Sequence, residues 1–338
     1  MKNLMKLCNF EGVSGFEFEL GEKFRQILEE YCDCTETDIL GNVIGRLGNR
    51  GEKTVMIEAH LDEIGLMVKD IDDNGFVRFA KIGGINPATL PSAEVFIHGK
   101  ERVFGVIGAK PPHLQSRQES SKNYRQDEMY IDTGFFAAEL RGKIQIGDAI
   151  TFAAKQAELL NGRVASKAID NRMGLWCLAE CAKRLKEKQL PCDVVFLGAV
   201  QEEVGCRGAK VGAYTIAPDC AVVIDVTHAV SPYTTGANAV FPLDSGVAIA
   251  VGPNLHPALS KKLIDVARTN EIPYTIEVCS GNSGTDAWVI QTTKKGIPCA
   301  LLSAPLRYMH TQVETLSMAD AEAVVTLICN AIEEGLTC

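Results

Sequence analysis

Two hydrophobic periods alternate along the chain. Apolar residues recur at helical spacing from Leu4 to Cys8 and again from Glu17 to Tyr31, where Phe24, Ile27, Leu28 and Tyr31 share one face. The stretch TDILGNVIGRLGNRGEKTVMIEAHLDEIGLMV then reads as strands broken by glycine turns. From about Val68 to Gly162 the apolar runs become short and β-like (GFVRFAKIGG, AEVFIHGK, RVFGVIGA, AITFAA), which predicts a small barrel or sandwich. Inside that block, Leu114 to Met129 is polar and aperiodic and is expected to be a loop. After Val164 strands and helices alternate. The helix NRMGLWCLAECAKRLKEK, with Asp170 as its expected N-cap, is followed by the strand CDVVFLGAV, a helix near GAKVGAYTI and the strand CAVVID. Next come the strand GVAIAVG, the helix ALSKKLIDVARTN, the strands YTIEVC and IPCALLSA, and a final helix, ADAEAVVTLICNAIEEG. This order predicts an α/β fold with a largely parallel sheet covered by helices on both faces. The expected layout is one α/β domain built from residues 1–67 and 163–338, interrupted by a β domain inserted at 68–162.

Composition narrows the function classes. The 338 residues are 46% hydrophobic and 23% charged, as in an ordinary globular protein. A formal charge of -9 and the lack of a basic tract argue against nucleic-acid binding. No apolar run approaches the roughly 20 residues that span a bilayer, and the opening MKNLMKLCNFEGVSGFEFE turns polar too early for a signal peptide. The twelve cysteines include no CxxC pair, so reduced thiols in a cytoplasmic protein are expected in place of a disulfide framework.

Chemistry concentrates beyond the apolar runs. His60 and Asp62 follow TVMIEA, Glu202 and Glu203 follow VVFLGAVQ, Asp225 follows AVVI, and His310 closes PCALLSAPLRYM. In an open α/β sheet, groups leaving the carboxyl ends of separate strands converge on one crevice. With Asp170 they form a set of imidazoles and carboxylates that suits zinc or a neighbouring divalent ion and is too large for one tetrahedral ion. Adjacent Glu202 and Glu203 repel unless positive charge offsets them, and a buried Asp225 is costly without a cation. The set predicts a two-metal hydrolase.

The chain resembles the TET-type aminopeptidases, dimetal exopeptidases that assemble into tetrahedral dodecamers. The resemblance is carried by GVSGFE at Gly12, EAHLDEIG at Glu58, GVIGAKPPHL at Gly105, AIDNRMG at Ala168, AVQEEVGCRGA at Ala199, DVTHA at Asp225, GTDA at Gly284 and PLRYMHT at Pro305, in the family's order across nearly the whole chain. It implies that Asp170 bridges two metals, that Glu203 and His310 complete one site, and that His60 and Asp225 complete the other. Asp62 would orient His60, and Glu202 would be the general acid/base. The expected reaction is removal of N-terminal residues from short peptides by a water held between two divalent ions, zinc first, with cobalt or manganese as substitutes. Residues 68–162 would then serve oligomerisation, giving a dodecamer built from dimers, and Leu114 to Met129 would reach a neighbouring subunit's site. Two places depart from the family pattern. Cys206 stands where an aliphatic residue is expected, and SPYTTGANAVFPLDS at Ser231 is unfamiliar. The rivals are a dimetal deacylase acting on N-acyl amino acids and a glycoside hydrolase, since some relatives carry a cellulase label. Adjacent Glu202 and Glu203 are poorly placed to flank a sugar bond.

Overall fold

The computed structural model describes residues 1–48, 53–116, 125–153, 155–234 and 240–336. Four parallel strands make the centre of the large sheet, in the order Asp193–Ala199, Thr54–His60, Cys220–His228 and Cys299–Arg307. Antiparallel strands flank them, Val43–Leu47 on one side and Val247–Val251 and Glu314–Ser317 on the other. Side chains alternate across each strand. Val55, Ile57 and Ala59 join the core beneath the helices Lys2–Cys8, Phe18–Glu29, Ile169–Leu185 and Met318–Glu333, while Met56 faces the second layer with Ala209 and Ala287 of the helices Arg207–Ile216 and Ala287–Ile290. Helices therefore cover both faces, as the alternation of elements predicts. Among the described residues no helix is long and apolar enough to cross a membrane.

The short β runs close into a six-stranded barrel of Gly65–Ile71, Val77–Ile82, Tyr130–Asp132, Arg102–Gly108, Glu94–His98 and Ala149–Phe152. It has its own core, including Leu66, Val68, Val77, Phe79, Val95, Ile97, Ile107, Ile131 and Ile150. The strand Arg102–Gly108 buries every second residue, which is the period-two pattern of a filled small barrel. Barrel strands start at Gly65 and end at Phe152, and Ala157–Leu159 instead pairs with Arg163–Ser166 in the large sheet. The span read from texture, 68–162, is thus shifted at both ends, because a β run does not reveal which sheet it joins. The segment Leu114 to Met129 contains a short 3₁₀ turn at Gln126–Glu128, and its residues 117–124 lie outside the described residues.

Candidate metal centre

Register brings the first candidate ligands together. Glu58 pairs with Val223 across the parallel strands, so His60 and Asp225, each two residues further on, lie level on the same face at the carboxyl end of the sheet. His60 ends its strand, but Asp225 sits within Cys220–His228 and not after it. Its Oδ1 accepts a hydrogen bond from the Val226 N–H at 2.7 Å.

Asp170 is not the helix N-cap that its position suggests. Asp170 and Asn171 have non-helical φ/ψ angles across a cis peptide bond, and the cap is Asn171, whose Oδ1 accepts from the Gly174 N–H at 2.9 Å. Freed from capping, the Asp170 carboxylate faces the cavity with one oxygen for each histidine. Oδ1 lies 3.1 Å from His60 Nε2 and Oδ2 lies 3.2 Å from His310 Nε2. Glu203 Oε1 is 3.1 Å from the same His310 nitrogen. Two clusters result, His60 with Asp170 and Asp225, and Asp170 with Glu203 and His310.

Buried side chains hold the loop that carries the two glutamates by its backbone. The N–H groups of Val200, Gln201, Glu202 and Glu203 donate in turn to Asn42 Oδ1 at 2.9 Å, Glu17 Oε1 at 3.0 Å, Asp62 Oδ1 at 2.9 Å and Asp62 Oδ2 at 3.1 Å. Asp62 also accepts from the Ser14 hydroxyl at 2.6 Å, and its Oδ1 is 3.4 Å from His60 Nδ1. It is fully buried and absent from the cavity lining, so it meets the histidine and the loop from behind the site.

Glu314 escaped the sequence reading. Its buried carboxylate accepts from the Asp170 N–H at 3.0 Å and from the His310 N–H at 2.8 Å, clamping two ligands from distant segments. Gly84, from the barrel side, accepts from His310 Nδ1 at 2.8 Å, and a Cβ there would lie 2.9 Å from that nitrogen, so the close approach requires glycine. Behind the site, Glu63 pairs with Lys167 at 2.6 Å and Arg172 at 3.3 Å, all buried. Removing one member of such a network strands the other charges. Arg172→Met is expected to cost about 3 to 5 kcal/mol in unfolding free energy, read from urea denaturation.

The cavity is about 450 Å³ and is lined by His60, Asp170, Glu202, Glu203, Asp225 and His310, with Thr227, His228, Glu277 and Thr285 on its remaining walls. Its acids lack sufficient positive charge. Burial and the neighbouring Asp170 charge push Asp225 well above the usual carboxylate range. Burial, with the charges of Asp286, Glu203 and Asp170, pushes Glu202 up to about 8 against the pull of His60. Burial disfavours a charged His310, yet hydrogen bonds to Asp170 and Glu203 lift it to about 11. Asp170 is held low despite burial, because His310 and His60 both donate to it. Protons on the imidazoles thus answer a demand for cations. The N/O donor set, with one carboxylate shared between two clusters, fits two divalent ions.

The M42 glutamyl aminopeptidase family model matches residues 41–327. The chain is 35% identical over 336 residues to the lysyl aminopeptidase of Pyrococcus furiosus, covering 98% of this chain and 96% of that protein. Its structure is similar to the aminopeptidase APDkam598 of Desulfurococcus kamchatkensis, with a TM-score of 0.92, 34% identity and coverage of 99% and 94% of the two chains. It is also similar to the TET1 peptidase of Pyrococcus horikoshii, described as assembling into a tetrahedron or a large octahedral shell, with a TM-score of 0.87, 32% identity and coverage of 98% and 99%.

Proposed function

The chain belongs to the M42 glutamyl aminopeptidase family and is a metal-dependent aminopeptidase, and from that premise we propose how its own residues divide the work. His60, Asp170 and Asp225 hold one divalent ion, and Asp170, Glu203 and His310 hold a second. The observation that carries this reading is Asp170, whose two carboxylate oxygens face the two different histidines at 3.1 and 3.2 Å. Bound there, the ions supply Lewis acidity and lower the pKa of water towards roughly 7.

Glu202 stands on the cavity wall next to Glu203, within reach of the space between the two clusters, where a carboxylate can exchange a proton. It accepts a proton from the attacking water and returns it to the departing amine nitrogen. Asp62 keeps Glu202 and Glu203 in place through their backbone N–H groups and keeps His60 in the orientation its partners require. The carboxylates that remain on the wall attract a substrate whose end carries a free ammonium, which favours N-terminal trimming of short peptides over internal cleavage.

Zinc is the proposed ion, with cobalt or manganese able to replace it. The described cysteines are all free thiols, which supports a reducing, cytoplasmic setting. An aminoacyl anilide with a free amine should be cleaved, and the activity should vanish in chelator and return with zinc or cobalt. Release of acetate from the N-acetylated anilide at a rate comparable to anilide cleavage of the free amine would favour a deacylase and overturn the assignment.

The barrel serves assembly in this reading. Its surroundings expose Phe76, Phe104, Val106, Phe136 and Ile146, apolar side chains that a neighbouring subunit would cover. Together with the resemblance to shell-forming relatives, this supports a dodecamer built from dimers. Light scattering should report a particle of many subunits, and a monomer with full activity would remove the assembly role without touching the metal chemistry.

A further inference from the structure

Beside the two clusters lies a third group of donors, in which Glu202 meets two residues that the mechanism leaves unused, Cys206 and Asp286. Cys206 Sγ donates to Glu202 Oε1 at 3.5 Å, and the Cys206 sulfur, a Glu202 oxygen and an Asp286 oxygen all lie within 4.8 Å of one another. Behind Asp286 stands Glu58, on the same strand face as His60. The two carboxyl groups lie against each other, fully buried, and their four oxygens have no neighbouring donor beyond each other and the Cys206 thiol. A buried carboxyl pair with so few donors is costly, and it calls for a shared proton or for positive charge beside it.

From this geometry we propose that Cys206, Asp286 and Glu202, backed by Glu58, form a third cation site whose occupation switches the peptidase off. The chemistry selects the ion. A sulfur among carboxylates favours zinc and cobalt over magnesium, calcium or manganese, which take oxygen donors. The Cys206 thiol releases its proton to solvent as the sulfur binds, so occupation is linked to pH and to metal activity. Inhibition follows because the Glu202 oxygen that would receive the water's proton is then engaged by the ion. This consequence rests on Glu202 being the base. The ligand set itself does not. The departure of Cys206 from the aliphatic residue expected at its position acquires a role, as the residue that lets excess zinc act as a brake.

The test uses the holoenzyme loaded with two cobalt ions per subunit and titrated with further cobalt. An additional bound equivalent should appear with a thiolate-to-cobalt charge-transfer band in the near ultraviolet, while turnover falls roughly 10²-fold. Cys206→Ser should show no band and keep, as further cobalt is added, whatever turnover it has at two equivalents. Absence of the band in the parent, or its persistence in Cys206→Ser, would overturn the site. A band that depends on Cys206 but leaves turnover undiminished would overturn the brake, whereas the base assignment is judged separately from the turnover of Glu202→Gln. If a shared proton alone satisfies Glu58 and Asp286, no extra equivalent binds and the proposal fails.

Discussion

Replacing Glu202 with glutamine should reduce turnover by roughly 10² to 10⁴ while both metal sites stay filled. The amide keeps the length and shape of the side chain but cannot accept a proton. The loop is secured by backbone N–H groups donating to Asn42, Glu17 and Asp62, so the substitution does not loosen its anchoring. Metal analysis and kinetics on one preparation check this. The loss should appear in kcat, with KM little changed, because the proton transfer belongs to the transition state and not to substrate binding. Near-parental kcat at full metal content would exclude Glu202 as the base.

Asp170→Asn should empty both sites, where His60→Ala and His310→Ala should each empty one. Among the described residues only Asp170 belongs to both clusters, and its two oxygens face the two histidines. The amide keeps one oxygen, loses the negative charge and turns an NH₂ group towards an imidazole, so each site loses a strong donor. Turnover should fall to background and the dialysed protein should carry almost no zinc, whereas the histidine variants should retain about one equivalent. An Asp170→Asn variant that binds two ions as the parent does would mean that the clusters are independent and that no carboxylate is shared.

Much of this was legible beforehand because local burial writes a period into the chain. The helix face of Phe24 and Leu28, the strand TVMIEAH and the alternation in Arg102–Gly108 all follow from which side chains must leave water, and no partner need be known to see it. The polar groups singled out as ligands, base and orienting carboxylate stand near the ends of such runs. Parallel strands deliver those ends to one edge, so the residues that meet were visible as a set. The elements also show where inference from position fails. Asp170 precedes a helix and looks like a cap, but Asn171 takes that role, since which of two neighbouring side chains turns inward depends on the backbone angles between them.

By itself the sequence determined the α/β texture with its β insertion, the donor types of the metal centre and, through the resemblance, the reaction. The tertiary structure alone decided who holds those donors. Glu314 grips Asp170 from 144 residues away, and Gly84 meets His310 across 226. It also decided that Asp62 anchors the glutamate loop as well as facing His60, and that Asp286 lies against both Glu58 and Cys206. Hydrophobic period reports only whether a residue faces the core. Contacts between distant segments are set by strand register and by the course of the loops, to which residues far apart in the chain contribute jointly.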